Sequence, residues 1–200
     1  AEFNVILHEI HRDNLQRGYF YHEGKIPANA FLNITQHALR AQKHFWAFQF
    51  VDSHKDLILG ENESHDFYKM NLALYYFAEK KYEEALQIIP FTSTNIYYHL
   101  MARRLELKIF YELRSDILPS KIDAFKMFVS RAGNKTFSKH LSELFTNFGN
   151  FVYQLSLSIP GDKKRSEQLL KRINSKKLVG ERGWLIEKAQ EIGTAKNPRN

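Results

Sequence analysis

Leu72-Ala73-Leu74-Tyr75-Tyr76-Phe77-Ala78-Glu79-Lys80-Lys81-Tyr82-Glu83-Glu84-Ala85-Leu86 is the stretch that decides the fold. Its first half carries apolar and aromatic residues at helical spacing, and a second helix opens at Tyr82. The turn from Glu79 to Lys81 is only three or four residues long, which forces the two helices antiparallel. Ala73 and Ala85 supply small side chains where the two helices approach closely. Tyr76 and Tyr82 fill the space above and below that approach.

Working outward, every long apolar pattern has helical period and no strand-like alternation is sustained. Ten helices are expected, over about 3–21, 27–43, 45–58, 64–79, 81–89, 94–114, 117–131, 136–158, 163–176 and 181–192. Turn residues fall between them. His22-Glu23-Gly24 closes the first helix and Pro27 opens the second, where a missing N–H is harmless. Gly60 and Glu61-Asn62-Glu63-Ser64 separate the third from the fourth, and Pro90 stops the fifth. Thr94 or Asn95 caps the sixth. Gly133-Asn134 ends the seventh and Pro160-Gly161 the eighth. Leu141, Phe145, Phe148, Val152 and Leu155 line one face of the eighth helix, and Leu169, Leu170 and Ile173 one face of the ninth. Such faces need neighbours to bury them, and stacking hairpins provides those neighbours.

The hairpin recurs in weaker form. Leu39…Phe45-Trp46-Ala47-Phe48 parallels Leu72…Tyr82-Glu83-Glu84-Ala85, with Phe45 and Tyr82 37 positions apart. A third hairpin, about 94–131, carries Ala102, Leu105, Leu107, Ile109 and Tyr111, then Ala124 and Phe128. A fourth covers about 136–176. The first helix reads as the second half of an earlier hairpin, and the tenth, with Trp184 and Leu185, as a cap. Leu72, Ala73, Tyr76, Tyr82 and Ala85 closely resemble the tetratricopeptide repeat, which places Leu and a small residue on its first helix and Tyr-x-x-Ala at the start of its second. Lys69 stands at the family's early Trp position and Ile89 at its late aromatic one. Through Leu72–Leu86, Ala102–Leu113 and Glu181–Lys188 the whole chain also resembles a group of bacterial tetratricopeptide-like proteins that carries no assigned activity. The resemblance implies an all-α superhelix of about four hairpins plus end helices. It implies a single domain over 1–200, from the C-terminal part of a longer protein.

Composition narrows the chemistry. The chain has 200 residues, 44% hydrophobic and 14% aromatic, which is enough for a real core and unlike a disordered chain. It has no cysteine, which removes disulfides, Fe–S clusters and thiol nucleophiles and fits a reducing, cytoplasmic setting. No run of about 18 apolar residues is present to span a membrane. Of the net charge of +7, residues 161–200 hold +6, from 11 Lys/Arg against 5 Asp/Glu. The basic character therefore belongs to the C-terminal fifth.

No catalytic motif emerges. There is no Gly-x-Ser-x-Gly and no Gly-rich phosphate loop before Lys-Ser/Thr. His8-Glu9-Ile10-His11 lacks the i, i+4 spacing of a helical zinc pair, and His37 and His44 stand two turns apart, too far for one ion. The histidines read as packed or solvated side chains. No metal, cofactor or enzymatic activity is expected. The expected role is a protein- or peptide-binding scaffold, with nucleic-acid binding by the basic C-terminal hairpin as the alternative.

In the resembled family each hairpin's first helix lines the inner surface. The resemblance therefore places Met70, Asn71, Leu74 and Phe77 there, with Arg103, Arg104 and Lys108 on the next first helix. Met70 and Leu74 stand where a peptide-carboxylate clamp would need polar groups, so an apolar ligand or a neighbouring helix suits them better. If Ala85 lies at a helix contact, Ala85→Leu costs roughly 1–3 kcal/mol by overpacking. Urea unfolding reads this cost, and unchanged stability would remove Ala85 from the contact.

Overall fold

A computed structural model of the chain describes residues 2–60, 63–91, 95–133 and 135–195. Glu61, Asn62, Thr94 and Asn134, named above as boundary residues, lie outside these. The protein is all-α. Its helices are α1 (Glu2–Gln16), α2 (Ala28–Arg40), α3 (His44–Ser53), α4 (Ser64–Ala78), α5 (Tyr82–Ile88), α6 (Ile96–Glu112), α7 (Leu118–Gly133), α8 (Lys139–Ser156), α9 (Lys163–Ser175) and α10 (Arg182–Thr194). Two short strands, β1 (Ile26–Pro27) and β2 (Ile58–Leu59), pair in parallel, Ile26 opposite Ile58 and Pro27 opposite Leu59. The chain forms two compact units, Ala1–Ile109 and Phe110–Asn200, whose boundary falls within α6.

In the first unit α1 packs on α2 and α2 on α3, while α4 packs on α2, α3 and α5. Small residues sit where these helices meet. Ala38, Ala47, Ala73 and Ala85 have no exposed surface. Leu74, Tyr75 and Ala78 of α4 close over Ala38, Leu39 and Ala47, together with Trp46. Phe31, Ile34, Val51 and Met70 complete the interior. His44 opens α3 and its Nδ1 lies 2.5 Å from the Glu79 carboxylate at the end of α4, joining the two pairs at one edge.

The turns after the helices repeat one another. At the end of α2, Gln42 N–H donates to the Leu39 carbonyl and Lys43 N–H to that of Ala38. After α4, Lys80 and Lys81 bond Phe77 and Tyr76 in the same way, and after α6, Arg114 and Ser115 bond Tyr111 and Phe110. In each case the residue following the C-cap is left-handed: Gln42 at φ 60°, Lys80 at 60° and Arg114 at 49°. These pairs of bonds satisfy carbonyls that the helix end would otherwise orphan. The turns recur at spacings of 38 and 34 residues. They set the register of the first two hairpins one residue away from the sequence alignment. His44 stands opposite Tyr82 as first helical residue, and Ala47 opposite Ala85, while Phe45 is 74% exposed.

Three boundaries differ from expectation. α1 stops at Gln16, because Gly18 at φ 78° makes the same closing turn, with Tyr19 N–H on the Asn14 carbonyl. Pro27 precedes α2 instead of opening it, and its ψ of 138° keeps it in β1. α3 ends at Ser53, followed by a 3-10 turn over Lys55–Leu57 and then β2. Asn95 caps α6 as expected, accepting from the Tyr97 N–H at 3.0 Å.

In the second unit α7 packs on α8, α9 on α10, and α10 also on α8. The expected α8/α9 hairpin is therefore not the close apolar pair; those two helices meet through polar side chains. Phe125, Phe148, Val152, Leu155, Leu169, Ile173, Leu185 and Ala189 form the core. α9 and α10 approach closely enough for Ser166 Oγ to donate to the Ala189 carbonyl at 2.7 Å. A left-handed non-glycine residue carries a cost of about 1–2 kcal/mol, part of which glycine's extra unfolded-state entropy cancels. Lys80→Gly is accordingly expected to raise the unfolding free energy by about 0.5–1 kcal/mol. Chemical denaturation measures it, and a destabilised variant would refute the left-handed turn.

Candidate functional site

The residues expected on the inner face are brought together only in part. Met70 and Asn71 are fully buried. α4 is contacted from several sides by α2, α3 and α5, so its inward-facing stripe is wider than one hairpin requires. This removes both residues from any accessible groove. Asn71 Nδ2 donates to the Phe67 carbonyl at 2.7 Å, and its Oδ1 has no hydrogen-bond partner among the described residues. Leu74 is half-buried against Ala38, Leu39 and Ala47. Phe77 keeps a partly open ring, with the Lys108 ammonium 4.7 Å from its centroid and Tyr82 5.6 Å away. Such a cation–ring contact is worth about 0.5–1 kcal/mol near the surface. Arg103 and Arg104 are half-buried on α6 and engaged with neighbours. Of the expected residues, Phe77 and Lys108 are in contact with each other, while Leu74, Arg103 and Arg104 are half-buried as they are.

A second constellation lies in the other unit, between α8 and α9. Asn147, Asn150, Phe151, Tyr153 and Gln154 of α8 face Arg172, Ser175 and Lys176 across a cleft of about 400 Å³. Arg172 Nη1 donates to Gln154 Oε1 at 2.6 Å, and Asn147 Nδ2 to the Leu178 carbonyl at 2.8 Å. Further along, Arg165 reaches Ser158 Oγ and the Gln154 carbonyl. From α7, the Lys126 ammonium stands 5.4 Å from the Tyr153 ring centroid. Asp162 caps α9 by accepting from the Arg165 N–H. Arg182 spans the other end of α9, donating to the carbonyls of Ile173, Asn174, Lys176 and Lys177. Sequence reading found the positive charge of this region but not the cleft. The spacing of Arg165, Arg172 and Lys176, seven and four residues apart, is the signal of one helix face.

The same unit holds an ionic cluster around the buried Lys188. Lys188 Nζ lies 2.9 Å from Glu112, 2.8 Å from Glu191 and 3.3 Å from Glu187. Burial works to lower the Lys188 pKa, but hydrogen bonds to Glu191 and Glu112 outweigh it and the net shift is upward. Trp184 Nε1 donates to Glu112 at 3.1 Å, and the Tyr111 ring meets Trp184 edge-on. Burial, with Glu112 beside it, pushes the Tyr111 hydroxyl up to about 12. Every charge here has a partner, so the cluster reads as an internal anchor for α10.

Histidines line the seam between α1 and α2. His11 Nε2 and His37 Nδ1 are 2.7 Å apart, and His8 packs edge-on against Trp46. Burial lowers the pKa of all three, helped at His8 by Arg12 and Lys43 and at His37 by His11 and Arg40. Among the described residues no three His, Cys, Asp or Glu side chains gather as metal ligands would. Compared with protein-family models, curated proteins and solved structures, the chain matches none of them.

The three lowered histidines make the first unit acid-sensitive. The unfolded chain takes up these protons at the ordinary value of about 6.5, before the folded chain does. Their contribution is complete above that value and is lost as pH falls from it through the folded values. The urea midpoint is expected to drop between about pH 7.5 and about pH 5. The drop should shrink in a His11→Gln/His37→Gln variant, and an equal drop in both proteins would disprove the assignment.

Proposed function

We propose that the chain is a non-catalytic scaffold of tetratricopeptide type that binds a protein or peptide partner. The observation that carries this reading is the recurrence of one hairpin design. α2, α4 and α6 end in the same left-handed turn, at Gln42, Lys80 and Arg114. α4 then rests on both helices of the preceding pair. Pairs that bury their remaining apolar surface on the next pair make an array, and arrays of this kind work by presenting extended surfaces. Fold alone does not give function, so the surface that remains available decides where a partner would bind.

That surface centres on Phe77 and Lys108, an aromatic ring and a cation held together from α4 and α6. Aromatic residues are enriched at protein interfaces, which makes the Phe77 ring the anchor of this surface. Among the described residues no helix is long and apolar enough to cross a membrane. Partners captured from the source cell by the wild-type chain should be lost with Phe77→Ser/Lys108→Glu. The affinity of a recovered partner should fall at least about tenfold, or about 1.4 kcal/mol. Phe45→Ser, on an exposed ring of α3, is the control and should retain them. Equal recovery by all three proteins, with unchanged circular dichroism, would remove this surface as the binding site.

A further inference from the structure

We infer that the cleft between α8 and α9 binds a single strand of nucleic acid, a role that goes beyond the scaffold reading and rests on a different unit. Three features converge there. The first is uncompensated charge. Arg172 and Lys176, the two cations of the cleft lining, form no ion pair with a carboxylate among the described residues, and no acidic side chain lines the cleft. Elsewhere in this unit a cation such as Lys188 is matched by carboxylates. Cations left unmatched along one helix attract a polyanion, and release of its counterions supplies the affinity.

The second feature is spacing. Arg172 and Lys176 lie on the cleft wall one helical turn apart, about 6 Å along the axis. Lys126, from α7, adds a third positive group beside the cleft, 5.4 Å from the Tyr153 ring centroid. The third feature is what stands opposite. Asn147, Asn150 and Gln154 place three carboxamides along α8. Asn147 Nδ2 donates to the Leu178 carbonyl and Gln154 bonds Arg172 and the Asn150 carbonyl, which leaves the Asn150 amide and the Asn147 oxygen to meet base edges. Tyr153 is 43% exposed among them, an aromatic platform on which a base can stack. An acidic side chain engages the cations alone, whereas a nucleotide joins its phosphate to a base that can stack on Tyr153. Phosphates on Arg172 and Lys176 with bases turned toward α8 use both walls.

The test is fluorescence anisotropy of the full chain with a labelled mixed-sequence single-stranded oligonucleotide across a salt series. Three phosphate contacts give a log–log slope near −2, at about 0.7 per contact. Arg172→Gln/Lys176→Gln should weaken binding and make the slope shallower by about 1.4. Tyr153→Ala should weaken it about fivefold or more with the slope unchanged. Lys163→Gln/Lys164→Gln, which alters cations outside the cleft, should leave the slope as it is. These positions are exposed, and circular dichroism confirms folding of each variant. No binding at low salt would overturn the inference. So would an equal effect of the two Lys/Arg pairs, which would mean diffuse attraction. Displacement of the strand by a polyglutamate peptide of equal charge would overturn it in favour of an acidic protein ligand. None of these outcomes alters the partner test on Phe77 and Lys108.

Discussion

Contact between helices through alanine is the constraint on which the first unit depends. Ala47 packs with Ala38 and Leu39 of α2, α5 packs on α4, and neither Ala47 nor Ala85 retains exposed surface. At such a position the backbone cylinders nearly touch, and larger side chains must find room on either side. Trp46, Leu74, Tyr75 and Ala78 take that room around Ala38 and Ala47. The left-handed turns at Gln42 and Lys80 then reverse the chain within a few residues, which keeps the close approach possible. Neither turn uses glycine, so packing of the following helix has to hold an unfavourable backbone conformation in place.

The second unit solves a different problem, burying an amphipathic helix whose inner face is not wholly apolar. Lys188 sits inside α10 and would be costly there alone. Glu112 and Glu191 neutralise it, and Glu112 also accepts from Trp184. A buried ion pair adds little net stability over an apolar equivalent, but it tolerates few alternative positions. Its effect here is to fix where α10 lies against Glu112. Arg182 contributes at the other end, closing the last turn of α9 through four carbonyls. The side of a cation that a helix C-terminus attracts is thereby used internally, leaving the outward lysines of α9 uncommitted.

Helix existence was legible in the sequence, because apolar spacing and the turn residues between segments together mark each of the ten helices. Helix ends were less so. The polar run His22-Glu23-Gly24 looked like the close of α1, yet Gly18 acts first by taking a positive φ. Pro27 has the φ of a helix start, but pairing with Leu59 holds its ψ in the extended region. Met70 and Asn71 were misplaced for a tertiary reason. Their burial depends on α2 and α3 lying against α4, which no property of residues 64–78 reveals. The cleft between α8 and α9 was hidden similarly. Charge in the C-terminal fifth was visible, whereas the facing amides of Asn147, Asn150 and Gln154 become a wall only when α8 and α9 turn polar sides toward each other.

The smallest element of the fold has the widest reach. β1 lies immediately before α2, and β2 lies in the connection leading to α4. Their parallel ladder, buried at Ile26 and Ile58 and braced by Lys25 Nζ on the Asp56 carbonyl, ties together the starts of two successive pairs. Arrays without such a clasp fray from the ends, each pair opening at its own free energy. Here α4 cannot swing off α2 without tearing backbone hydrogen bonds well away from the helix interface. α2 through α5 are therefore held to one another at their starts as well as along their packed faces.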